Sequence, residues 1–98
     1  MPVHRAVALL AAAWLTGCAA PTEQTPAELW LSSCAGCHGN TAQGTIRGPD
    51  LRLGAQGLDV DDVVDVILDG EGLMAAVDVH ADEAEDIARF LLEDLLLR

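Results

Sequence analysis

The sequence predicts an all-α fold, three main helices joined by loops. Three observations carry that expectation. A valine-rich segment after residue 58 sets its aspartates and its aliphatic residues on opposite sides at three- and four-residue steps, which is helical period. Three segments open on helix-start signals. No stretch shows a convincing strand pattern. The length, 98 residues, fits one small domain.

The first residues stand outside that domain. A short basic start, Met1 to Arg5, leads into an unbroken apolar run from Ala6 to Leu15. The run is too short for a membrane-spanning helix, which needs about 20 residues, and has the size of the apolar core of an export signal. It ends in Leu15-Thr16-Gly17-Cys18, which resembles the lipobox of bacterial lipoproteins. That resemblance implies cleavage before Cys18 and a lipid on its new N-terminus. Residues 1–17 then read as a lipoprotein signal peptide, 18–25 as a tether and 26–98 as the domain. The expected location is outside the cytoplasm, facing the periplasm on a membrane anchor.

Past the signal the basic residues are Arg47, Arg52, Arg89 and Arg98, against 16 aspartates and glutamates. No lysine occurs. Such a surface repels nucleic acid and favours a protein partner with a basic face. Trp30 and Phe90 are the aromatic residues beyond the signal, so the core is aliphatic and thin. Domains this small often need a staple: a disulfide, a metal or a large bound cofactor.

Thr25-Pro26-Ala27-Glu28 starts the first helix: Thr25 caps, Pro26 suits the first helical position and Glu28 closes a capping box. This helix carries Leu29, Trp30 and the cysteines Cys34 and Cys37, and ends near Gly36 to Gly39. Residues 39 to 57 hold five of the nine glycines and read as a loop. The second helix spans Leu58 to Gly70, capped by Asp59, with Asp62 in its first turn and Gly70 at its end. The last runs from about 81 to 96. It buries Ala84, Ile87, Ala88, Leu91 and Leu95, and Phe90 turns toward Trp30.

The chemistry concentrates in Cys34-Ala35-Gly36-Cys37-His38. A disulfide across so short a loop removes little chain entropy. A thioredoxin-like pair needs a strand–helix–strand setting that is missing. Zinc would take Cys34, Cys37 and His38 and want a fourth ligand, with His80 as the other histidine of the domain. C-x-x-C-H is also the attachment pattern of c-type haem. Two thiols near one helical turn apart reach two vinyl groups on one porphyrin edge, and the histidine beside them lies under the iron. Export and the absence of a spare cysteine favour haem.

Four segments in order resemble small class I cytochromes c: Trp30 four residues before Cys34; Cys37 to Leu51, with Gly48-Pro49-Asp50-Leu51; Ile67 to Met74; and Ala81 to Leu95, with Phe90-Leu91. The resemblance implies a cytochrome c fold wrapped around one covalent haem c. It implies thioethers at Cys34 and Cys37, His38 as proximal iron ligand with a hydrogen bond to the Pro49 carbonyl, and Met74 as distal ligand. Arg47 and Arg52 are candidates for the haem propionates. The implied function is single-electron transfer, without a small-molecule substrate or catalytic residues. The chain departs from the pattern in having Ala75 where Met-Pro is usual. Two further readings follow: a haem sensor or weak peroxidase in which Met74 leaves the iron, and a zinc-binding interaction module.

Overall fold

The computed structural model describes residues 23–98. Residues 1–22, which include the expected signal, Cys18 and most of the tether, lie outside that range. Helix α1 is Pro26–Ser33. Its start is a complete capping box: the Glu28 N–H donates to Thr25 Oγ1 at 3.2 Å, and the Thr25 N–H donates to Glu28 Oε1 at 2.9 Å. Two of the orphan donors at the helix end are thereby satisfied.

The first helix is expected to run through the cysteines unbroken, but it steps at Cys34. That residue adopts φ −124° and ψ −38°, and a one-turn helix α2, Ala35–His38, follows. The step lets the chain fold back far enough for the Trp30 indole N–H to donate to the Gly39 carbonyl at 3.1 Å. Gly39, at φ 88°, ends the turn and its N–H donates to Ala35 O.

A second difference lies in the glycine-rich stretch. Residues Leu51–Gly54 form a one-turn helix, α3, inside what composition marks as loop. Asp50 caps it by accepting from the Arg52 N–H at 2.8 Å. Helix α4, Val60–Asp69, matches its sequence signals: Asp59 and Asp62 form a reciprocal capping box, and Gly70 at φ 79° closes the helix. Val63 and Ile67 are buried while Asp61, Asp62, Asp65 and Asp69 face solvent.

Helix α5 is Ala81–Glu93, continued by a 3-10 turn over Leu95–Leu97. The expected single helix to residue 96 is therefore interrupted at Asp94, whose φ of −127° leaves helical space. His80 stands at the N-cap, and its N–H donates to Glu83 Oε1 at 2.9 Å. Helix α5 packs on both α1 and α4.

The core is the small aliphatic set that the sequence implies: Leu29, Val63, Ile67, Ala84, Ile87, Ala88, Leu91 and Leu95 around Trp30. Trp30 and Ile87 are the largest fully buried side chains. Each stabilises by roughly 1.5–3 kcal/mol or more through burial, little for a fold that must also order its long loops. Among the described residues there is no strand, only the isolated bridges Thr45–Gly48 and Glu71–Met74. No described helix is long and apolar enough to cross a membrane.

Candidate cofactor site

Helix α2 places the C-x-x-C-H residues on one turn. Cys34 is buried at its start, Cys37 is exposed, and His38 is buried at its end. Burial pushes the Cys34 thiol up to about 11, with Cys37 beside it adding to the shift. Cys34 is therefore a neutral thiol at neutral pH. Redox-active C-x-x-C pairs work through a lowered thiol pKa, so the pair lacks the electrostatics of a thioredoxin-like site.

The His38 ring is fixed from two sides. Its Nδ1 lies 3.1 Å from the Pro49 carbonyl. A carbonyl only accepts, so Nδ1 carries the proton, and in the neutral ring the lone pair is on Nε2. No buried side-chain nitrogen or oxygen among the described residues lacks a partner. Since Nε2 has none among the described residues, it is not sealed in the core. On the other side Trp30 faces the ring, with centroids 6.5 Å apart and planes tilted by 36°. Such a histidine offers one nitrogen outward, and the hydrogen bond behind it fixes the orientation of the ring.

Two residues to which the sequence assigns no role of their own, Thr45 and Gly48, complete the support. Thr45 Oγ1 donates to the Cys37 carbonyl. Gly48 packs so closely that a Cβ there would lie 2.8 Å from the Cys37 oxygen and 3.2 Å from His38 Cε1. A side chain at 48 would push the 45–48 turn off the imidazole. The available signal was the Gly-Pro pair itself, since glycine permits close backbone approach. The expectation for Trp30 also changes. It is core, but its polar edge and its ring serve the α2 turn. Phe90 is half-buried against the core cluster that holds Trp30, near Pro26, with the Arg98 guanidinium 5.8 Å from its ring centroid.

Met74 is carried separately, half-buried on the loop after α4. Arg52 is engaged by Asp50, with Nη2 2.8 Å from Oδ2 and Nε 3.0 Å from Oδ1. Arg89 pairs with Glu85 and Glu93, and Arg98 with Asp94. Arg47 is exposed and makes no ion pair among the described residues. No three His, Cys, Asp or Glu side chains among the described residues converge as a metal site. The fourth ligand that the zinc reading requires is not assembled.

The donor set fits a covalent haem. Two unpaired thiols and an outward imidazole nitrogen share one turn, and Ile46, Leu53, Leu58 and Leu73, which lie in the sequence after His38 and before Met74, expose large apolar side chains. A flat apolar ring would give such side chains something to cover. A family model described as "Cytochrome C oxidase, cbb3-type, subunit III" matches residues 21–91. The chain belongs to this family of cytochrome c domains. It is a small c-type cytochrome with the all-α cytochrome c fold, and its chemistry is haem-based electron transfer. No match is found among curated proteins.

Proposed function

We propose that this cytochrome is a single-electron carrier that works outside the cytoplasm with one haem c bound through Cys34 and Cys37. His38 is the proximal iron ligand and Met74 the distal one. The observation that carries this reading is the His38 geometry: Nδ1 is committed to Pro49, so Nε2 is free to ligate, directly beside two free thiols. Haem iron supplies the one-electron couple, and His/Met ligation raises its potential.

The chain's own residues bind, orient and shield. Cys34 and Cys37 fix one edge of the ring, the Pro49 carbonyl orients the imidazole, and the loop residues exclude water. Arg52 is held by Asp50, so Arg47 is the better placed cation for a propionate. The apolar run before Cys18 and the Leu-Thr-Gly-Cys sequence support a periplasmic lipoprotein tethered close to its membrane. A formal charge of −11 supports a redox partner with a basic docking face.

Visible spectra of both redox states, with the intact mass, test the assignment. The expected result is a low-spin c-type spectrum, a mass gain of one haem, and the long-wavelength ferric band of sulfur–iron ligation. Met74→Ala should abolish that band and open the ferrous form to carbon monoxide. A colourless protein of bare polypeptide mass, from cells that attach haem to other proteins, refutes the proposal. A haem protein whose band survives Met74→Ala refutes the distal assignment alone.

A further inference from the structure

Ala75, not proline, follows Met74, yet the Met74 main chain is closely held. The Glu71 N–H donates to Met74 O at 3.0 Å and the Met74 N–H returns the bond to Glu71 O at 2.9 Å. Gly72, at φ 58°, makes that tight turn. Farther on, the Val77 N–H donates to Ile67 O at 2.8 Å and ties the returning chain to the last turn of α4. Between these anchors the loop lies directly against Gly70. A Cβ at residue 70 would fall 2.6 Å from Met74 O, 2.8 Å from Ala76 N and 3.1 Å from the Ala75 carbonyl carbon. All three are backbone atoms, which cannot rotate aside as a side chain does.

We propose that Gly70 is the positioning residue for Met74: its bare backbone lets the 71–76 loop seat on the end of α4, and that seat sets how firmly the thioether holds its ligand position. The inference rests on the proposed ligation by Met74. The physical reasoning concerns the competition between bound and detached loop. A thioether is a weak ligand, so its hold depends on how little the loop must be ordered when it binds. A loop already pinned by backbone hydrogen bonds has little left to lose. A loop lifted off its seat must be ordered afresh each time, and an exogenous ligand then competes better.

The glycines supply a matched control. Gly57 has φ 80° against 79° at Gly70, but a Cβ at Gly57 meets nothing within 4 Å. Alanine at either position bears the strain of a left-handed backbone, and only at 70 does it also strike the Met74 loop. The haem-loaded wild type, Gly70→Ala and Gly57→Ala should be compared in the ferric sulfur–iron band, in imidazole affinity of the ferric protein, and in denaturant midpoint. Both variants should lose stability. Only Gly70→Ala should weaken the band and bind imidazole at least about tenfold more tightly.

Equal imidazole affinity in all three proteins, or an equal gain in both variants, overturns the inference. A wild type that lacks the band overturns the ligand assignment and this inference with it; a wild type with the band and an unaffected Gly70→Ala overturns this inference alone. Should Gly70→Ala fail to accumulate, Glu71→Pro deletes the exposed amide that donates to Met74 O and carries the same readouts. It should move them in the same direction, and no change there overturns the seat.

Discussion

Trp30→Phe tests the link between the helical core and the C-x-x-C-H turn. The substitution keeps an aromatic ring at a position only 2% exposed and deletes the indole N–H. The lost bond runs 3.1 Å to Gly39 O. That oxygen also accepts from the Ala42 N–H at 3.2 Å, so it is not orphaned. The hydrogen-bond loss is therefore about 1 kcal/mol, not the full penalty of a buried unpaired carbonyl. The smaller ring forfeits some tens of Å² of apolar burial, about 1 kcal/mol more. The sum, about 2 kcal/mol, is a large share of a stability expected near 5–10 kcal/mol for a domain of this size. Guanidinium unfolding of the haem-loaded protein, followed by circular dichroism and haem absorption, reads it directly. The midpoint should fall with the slope unchanged. A loss of about 1 kcal/mol or less, which the smaller ring explains by burial alone, would mean that the indole is mere filling and that its bond to Gly39 O contributes nothing.

Gly48→Ala should lower the yield of haem-loaded protein and perturb the iron spectrum, because its Cβ meets the Cys37 carbonyl at 2.8 Å; an intact mass and spectrum identical to wild type would refute that crowding. Thr25→Ala removes the cap of α1 and should cost about 1 kcal/mol in the same unfolding assay. Glu28 adds a pH signature: the bond from the Thr25 N–H holds its carboxyl below the ordinary value of 4.5 in the folded state. A lowered folded pKa stabilises above the unfolded value and is lost as pH falls through the folded one. The stability gap between wild type and Glu28→Ala should therefore be constant near neutrality and close below about pH 4.5; a gap independent of pH would refute it. Electron-transfer rates with a basic redox protein should fall as ionic strength shortens the Debye length from about 10 Å at 0.1 M, and salt-independent rates would count against docking by charge.

The helices were legible because their signals are local. Thr25 with Glu28, and Asp59 with Asp62, each sit three residues apart, and the structure shows both boxes closed. The buried set of α5 followed from spacing alone. Helix α3 was not legible, because four residues ending in Gly54 fall below the window in which helical period shows. The step at Cys34 was hidden for a different reason: it is set by the reach of Trp30 to Gly39, a contact that no local pattern encodes. Gly48 was quoted as part of a pattern, but its closeness to Cys37 depends on how the loop closes. The Asp50–Arg52 pair is local too, since Asp50 two residues earlier is both an N-cap and a carboxylate within reach. The His38–Pro49 bond was expected only through resemblance, and the described geometry contains it.

The turns that position the two proposed iron ligands share a device, and the thinness of the core explains why. The Thr45–Gly48 and Glu71–Met74 turns are each closed by a backbone bridge, and each lifts a fully exposed aliphatic side chain, Ile46 or Leu73, into solvent. Side-chain packing does not hold these turns: the buried cluster draws almost wholly on α1, α4 and α5, with Ala42 the one fully buried residue between Gly39 and Pro49. Position is instead fixed by main-chain hydrogen bonds and by glycines that admit close approach, Gly48 against His38 and Gly70 against Met74. Backbone constraints of this kind order a loop with few buried atoms. For a carrier whose ligands must hold the same place in both oxidation states, a fixed main chain matters more than a large core. The same economy makes the loops depend on what they enclose, so loss of the haem should loosen residues 39–58 and 70–79 before α4 and α5, and hydrogen exchange on the two forms would show that order.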